Sequence, residues 1–401
     1  MTTNVSEFDF SLADLRMRGF GDHSFTNLGE TSISLPRVTD NSVDRSNTNN
    51  TDNAWGLNHR QVPLALQQTK DNYGLTFITR PQLNLSDANI RGVRKFSRLL
   101  TDNTKSVQRM VRCLLDPSLQ YNSGQDIEGG GGGDDYITQK TITCPLVDHR
   151  QAFIPFFTNN IVSLSGFPDL RAPTYSAKEG PYKEAYGFVD GPTDDYSEYD
   201  VTFTLRNIEG DPISAMAYFW IHYQSKVHEG IDMRAYGDFI VNREIDYNTR
   251  IYRFVLDPTK RFIQRMCMTG ASFPYALNNG AFYDFDNSKP YNEASQSIQI
   301  PFKCYGAVYE DDVIIRAFND VVSYFHQEMG EGNSIINPPN SRTMIKVPVD
   351  HLFIFNHRGY PWINPNTYEI EWYVSREYYE SKMRAYQGFA GSLMSGAGIS
   401  I

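Results

Sequence analysis

The stretch YDVTFTLRN (199–207), followed directly by EGDPISAMAYFWIHYQSK (209–226), decides how this chain is read. In the first part Val201, Phe203 and Leu205 alternate with Thr202, Thr204 and Arg206. Successive strand side chains point to opposite faces, so this pattern marks a strand with one buried face. In the second part Asp211 and Pro212 form an N-cap and first-turn pair. Ile213, Met216, Ala217, Trp220 and Tyr223 then recur on one helical face.

Working outward, further strands are expected at DFIVNREI (238–245), RIYRFVL (250–256), RFIQRMCM (261–268) and QSIQIPFKCYGAV (296–308), with Asp246 to Thr249 as a turn. Upstream, YGLTFITRP (73–81) is rich in β-formers and ends at a proline. Ser86 and Asp87 are placed to cap a helix over 88–102, with Ile90, Val93, Phe96 and Leu100 at helical spacing; 105–116 continues in the same style. YITQKTITCP (136–145) alternates as a strand. FIPFFTNNIVSL (153–164) holds two short apolar pieces joined by Asn159 and Asn160, and a Gly/Pro/Tyr/Asp-rich loop covers 166–198. Downstream, Ile314, Phe318, Val321, Val322 and Phe325 set a helix in 313–329. IKVPVDHLFIF (345–355) and YEIEWYVS (368–375) are expected strands, and REYYESKMRAYQGF (376–389) a short helix. DNSVDRSNTNNTDN (40–53) offers no periodic apolar face, so residues 1–70 are expected to form an extended arm. Gly391 to Ile401 are expected to be mobile unless a neighbour orders them.

Composition narrows the class. The 401 residues carry 37 Lys and Arg against 47 Asp and Glu, a net charge of −10, and only 21% are charged. Aromatics reach 13%, with 25 Phe and 25 Tyr beside 4 Trp. That excess suits strands and subunit interfaces. There is no run of 18 apolar residues for a membrane span, and the start MTTNVSEFDFSLADL lacks the basic and apolar regions of a secretory signal. An acidic chain argues against a general nucleic-acid coat, but not against a surface past which DNA must slide without sticking. Cys113, Cys144, Cys267 and Cys304 are far apart, with no CxxC and no Cys/His cluster. They are read as buried free thiols in a protein assembled in a reducing cytoplasm.

No concentrated chemistry emerges. Gly129 to Gly133 is followed by Asp134 and Asp135 where a phosphate loop needs Lys and Ser or Thr, so it reads as a hinge or linker. Asp148, His149 and Arg150 lack an accompanying nucleophile motif. His222 and His228, and His351 and His357, lack metal-ligand spacing and a third ligand. Asp194 with Asp195, and Glu310 to Asp312, read as solvated loop charge; a paired-carboxylate site has no motif to support it. No catalytic, cofactor or metal residue is assigned. The dense aromatic segments instead nominate Phe153, Phe156, Phe157, Tyr218, Phe219 and Trp220 as interface residues.

The block 199–310 resembles the tube domain of contractile-tailed bacteriophages. The residues carrying the likeness are Thr204-Leu205-Arg206-Asn207, Glu209-Gly210-Asp211-Pro212 and the helix through Tyr218-Phe219-Trp220. YGLTFITRPQLNLSD (73–87) resembles strands of myophage virion structural proteins. The resemblance covers about 40% of the chain by length. It implies an α+β, mainly β fold: a tail-tube-like β-sandwich or barrel with a packed helix, plus N- and C-terminal extensions. The expected organisation is an arm at 1–70, a strand plus helical segment at 71–128, a Gly-rich linker at 129–135, a tube-like β domain at 136–310 and an α/β extension at 311–401.

The chain is long for a simple tube subunit. The resemblance therefore implies a tube or baseplate-tube (tube-initiator) ring in the virion tail, assembled in the host cytoplasm, with no enzymatic activity. Expected partners are further copies in a sixfold ring, the tail tube protein, sheath and baseplate proteins. Phage DNA would pass through the lumen without specific binding. Two alternatives stand beside this: a neck, tail-terminator or other virion component, and a virion-associated cell-wall hydrolase.

Overall fold

The computed structural model describes residues 73–121, 142–193, 197–280, 283, 287–288, 297–330, 339–355 and 359–396. The arm, the glycine run, Asp134, Asp135, Asp194, Asp195, His357 and residues 397–401 lie outside them. The strands are β1 (Tyr73–Ile78), β2 (Ile161–Ser165), β3 (Thr174–Ser176), β4 (Gly187–Val189), β5 (Glu198–Arg206), β6 (Ile251–Leu256), β7 (Ile263–Pro274), β8 (Ser297–Tyr309), β9 (Met344–Lys346), β10 (Tyr360–Ile363) and β11 (Ile370–Ser375). The helices are α1 (Asp87–Gly92), α2 (Val107–Leu115), α3 (Ser118–Tyr121), α4 (Pro155–Asn159), α5 (Pro212–Glu229), α6 (Gly237–Asn242), α7 (Asp312–Phe325) and α8 (Arg376–Gly396).

The architecture is mixed α/β and mostly antiparallel sheet. One six-stranded sheet runs β1-β6-β7-β8-β5-β2, a three-stranded sheet runs β10-β11-β9, and β3 and β4 form a separate hairpin. Neither larger sheet closes on itself among the described residues.

Strand β5 follows its pattern: Val201, Phe203 and Leu205 are fully buried. They lie opposite Phe302, Ile300 and Ile298 of β8. The stripe of α5 packs over this region, where Trp220 meets Phe302 edge-on and donates Nε1–H to the Tyr247 carbonyl at 3.0 Å. Asp211 does occupy the N-cap of α5, but in a left-handed conformation and without a side-chain cap. Its carboxylate accepts from Asn207 instead.

Alternation on β1 and β6 covers the sheet on both sides. Ile78 and Ile251 join the core under α5, whereas Phe77, Tyr252 and Phe254 join a second core with α7 and β10–β11. There Phe77, Phe153, Tyr252, Phe254 and Phe318 pack with ring centroids between 4.8 and 6.3 Å. Strand β8 passes from one core to the other at Gly306, which adopts φ 69°. Gly270 of β7 lies opposite, between the pairs Thr269–Ala307 and Ala271–Tyr305. A Cβ at Gly270 would sit 2.8 Å from the Tyr305 carbonyl oxygen. The two strands approach this closely there only because Gly270 lacks a side chain.

Four local expectations are corrected. DFIVNREI is a helix, α6, ended by Arg243 at φ 58°. Its strand-forming residues have no neighbouring strand to pair with, and β-propensity acts mainly through such contacts. The long helix over 88–102 is split into α1 and a 3-10 turn, Arg94–Leu99, because Gly92 and the extended Val93 interrupt it. In 345–355 only the start is strand, and Pro348 turns the rest into a 3-10 turn. Residues 142–145 lack regular structure, while 136–141 lie outside the described residues.

Candidate functional site

The described surface carries open strand edges and exposed apolar side chains. Strands β1 and β2 each pair on one side only among the described residues. On β2, Val162 is 61% exposed and sits at a register shift against β5. Between β2 and β5 the chain runs out into the β3–β4 hairpin, whose six strand residues are all exposed. Tyr175 pairs with Phe188 across it, and Tyr182, Tyr186 and Val189 add exposed apolar surface. The Gly/Pro/Tyr-rich composition of 166–198 signals this excursion. The short strands within it lack enough alternation to be read from sequence.

The aromatic residues nominated from sequence are distributed differently. Phe153, Phe157, Phe219 and Trp220 are buried in the chain's own cores. Burying such a ring contributes about 2–3 kcal/mol to folding, and a side chain with no exposed surface has none left for a partner. Tyr218 and Phe156 are half-buried at the edge of the first core. The α5 periodicity was the signal: Phe219 and Trp220 lie on or beside the apolar stripe.

Two buried polar nodes hold the surface in place. Arg80, just after β1, sends Nε and Nη2 to the carbonyls of Leu114 and Cys113 at 3.1 and 2.6 Å, and Nη1 to those of Asp148, His149 and Gln151 at 3.4, 3.3 and 3.1 Å. The C-terminal carbonyls of α2 have no partner within the helix, so the guanidinium satisfies them. Burial lowers its pKa to about 10, which leaves it charged at neutral pH. The second node is Asp116. Its carboxylate accepts from Leu85 N–H and Tyr236 hydroxyl, both at 2.7 Å, and from the Ser118 hydroxyl at 2.5 Å. Burial raises its pKa to about 6, against the opposing hydrogen bonds. Arg112 donates to the Leu85 carbonyl and to Asp87, and Tyr223 donates to Asp246.

Several of the remaining sequence candidates have structural partners among the described residues. Asp148 accepts from Tyr360, and the His149 carbonyl accepts from Arg80. His222 stacks edge-on against Tyr218 at 4.3 Å, and His351 shares a 2.8 Å hydrogen bond with Tyr379. Asp311 caps α7 through Val313 N–H, and Asp312 accepts from Tyr368. All four cysteines are free thiols, three buried and Cys267 half-buried. Burial pushes the Cys267 thiol up to about 12. Among the described residues no three His, Cys, Asp or Glu side chains converge on a point. No helix among them is long and apolar enough to cross a membrane.

A family model described as "Putative phage tail tube protein" matches residues 39–389. The chain belongs to this phage tail tube family. It is a tail-tube-related structural protein and a component of the virion tail. The match spans residues 39–70 of the arm, every sheet and most of α8, well beyond the 199–310 block that carries the sequence resemblance. Among solved structures, the tube-terminating cap of the anti-feeding prophage is similar at 13% identity and a TM-score of 0.25, over 40% of this chain and 82% of its own. The PVC sheath/tube terminator of an extracellular contractile injection system gives 12% and 0.23, over 40% and 88%. No curated protein sequence matches. The family assignment rests on the family model.

Proposed function

We propose that this phage tail tube family member forms a ring of the tube at its baseplate end, acting as a tube initiator rather than as the repeating subunit. The observation that carries this reading is the six-stranded sheet left open, among the described residues, at β1 and at β2. An unpaired strand edge is a template for another chain. Joining β1 of one copy to β2 of the next satisfies both edges and turns six open sheets into one barrel around the DNA channel. The β3–β4 hairpin then reaches onto a neighbouring subunit with its exposed aromatic residues. The extensions at 1–70 and 311–401 engage the tail tube, sheath and baseplate proteins. A net charge of −10 disfavours adhesion of DNA to the lumen. The role is structural, without catalysis.

A cryo-EM reconstruction of the intact particle tests this. Six copies around the channel, at the baseplate end of the tube, are expected. A position at the head–tail joint, or copies without ring neighbours, would overturn it.

A further inference from the structure

The chain is acidic, yet one strip of it is strongly basic. Residues 91–109 hold six basic side chains, Arg91, Arg94, Lys95, Arg98, Lys105 and Arg109, against the single acid Asp102. Six minus one leaves +5 in this strip, and a total of −10 then leaves −15 for the rest. The fold turns this composition into a surface. In the 3-10 turn Arg94–Leu99, Phe96 and Leu99 are buried in the first core, which directs Arg94, Lys95 and Arg98 outward. Lys105 is also exposed. Among the described residues no carboxylate forms an ion pair with these four, and Arg91 reaches Asp87 only at 3.9 Å. Beside the strip on α5, burial lowers the His222 pKa and Lys95 and Lys226 push it the same way, while Lys226 itself is paired with Glu229 and Asp232.

Unpaired surface charge of one sign has a consequence for association. Two copies of a −10 chain repel in most relative orientations. The orientation that relieves this sets the basic strip of one copy against the acidic surface of the other. Strip against strip is repulsive, so the strip meets a different, acidic patch of the neighbouring copy, the pairing that a head-to-tail ring repeats at every interface. We propose that the strip Arg94–Lys105 is the positive half of a heterologous contact between copies of this chain, its occupant being the acidic surface of a second copy. This rests on the ring reading above, and adds to it an electrostatic selector of subunit orientation.

The test uses the full chain and the triple variant Arg94→Glu, Lys95→Glu, Arg98→Glu. Assembly is followed by sedimentation velocity across protein concentration at low and high salt. The variant should keep the wild-type thermal midpoint, because the replaced side chains are exposed and have no ion pair among the described residues. Its half-assembly concentration should rise at least tenfold at low salt, and wild-type assembly should weaken as salt is added. Carbodiimide coupling between isotope-labelled and unlabelled wild-type copies should join Lys95 or Lys105 of one to an Asp or Glu of the other. Wild-type assembly that the triple variant leaves unchanged overturns the contact alone. A wild type that stays monomeric at every concentration and salt overturns the ring reading, and the contact with it. Duplex DNA bound by the wild type and lost in the variant, with assembly intact, assigns the strip to nucleic acid instead.

Discussion

Asn319 of α7 and Ile363 of β10 exchange two hydrogen bonds: the Asn319 amide donates to the Ile363 carbonyl at 2.8 Å and its oxygen accepts the Ile363 N–H at 3.0 Å. The side chain thus stands in for a neighbouring strand and ties the helix to the small sheet. Both residues are fully buried. Replacing Asn319 with Leu leaves a buried N–H and C=O without partners. A loss of about 2–4 kcal/mol is expected, measurable as a lower urea midpoint with an unchanged slope. A variant as stable as wild type would show that the backbone finds other partners.

Arg80 should be harder to replace. Five carbonyls from two segments converge on one planar guanidinium, and Phe325 lies 5.6 Å away beneath it. Arg80→Met keeps the stem but removes every donor, and should cost about 3–5 kcal/mol. Arg80→Lys should recover only part, since an ammonium cannot span the fork. Equal midpoints for the Lys variant and wild type in thermal unfolding would contradict the bridging role.

Asp116 gives a pH signature. Its folded pKa is raised to about 6 from 3.8, so the folded state holds the proton more tightly than the unfolded one. Its stabilising contribution is therefore complete below about pH 4 and is lost as pH rises through about 6. The loss approaches about 3 kcal/mol by neutral pH. Asp116→Asn can accept from Leu85 and Tyr236 and donate to Ser118, with no group to ionise. The difference in stability between variant and wild type should thus move in favour of the variant between pH 4 and 7. A constant difference across that window would place the titration elsewhere.

The proposed contact surface should separate from stability. Phe188→Glu in β4 and Val162→Lys in β2 alter side chains with few intramolecular contacts, so each should change folding stability by less than about 0.5 kcal/mol. Both should impair assembly, seen as a loss of rings by negative-stain microscopy. Intact rings from both variants would remove the hairpin and the β2 edge from the interface.

Much of the secondary structure was legible because its signals are local. The alternation of Val201, Phe203 and Leu205 and the stripe Ile213–Met216–Trp220–Tyr223 each became what the period required. The failures share a cause. DFIVNREI has the residues of a strand but no neighbour to pair with, so it is a helix. YPWI (360–363) is short and contains a proline, and is a strand only because β11 and Asn319 satisfy its backbone. The aromatic segments were read as interface because abundance cannot distinguish a filled core from an open surface. Burial of Phe157 and Trp220, and exposure of Tyr175 and Phe188, required the fold.

By itself the sequence determined the class: acidic, aromatic and strand-rich, with a helix pattern set directly after a strand at 199–226. These properties depend on composition and on neighbours within a few residues. Only the tertiary structure decided which strands remain open at the sheet edges, which rings reach the surface and which carbonyls Arg80 gathers. Those outcomes depend on contacts between residues tens to hundreds of positions apart, such as Thr79 with Thr249 and Asn319 with Ile363. Local periodicity carries no record of which distant segment will supply the partner.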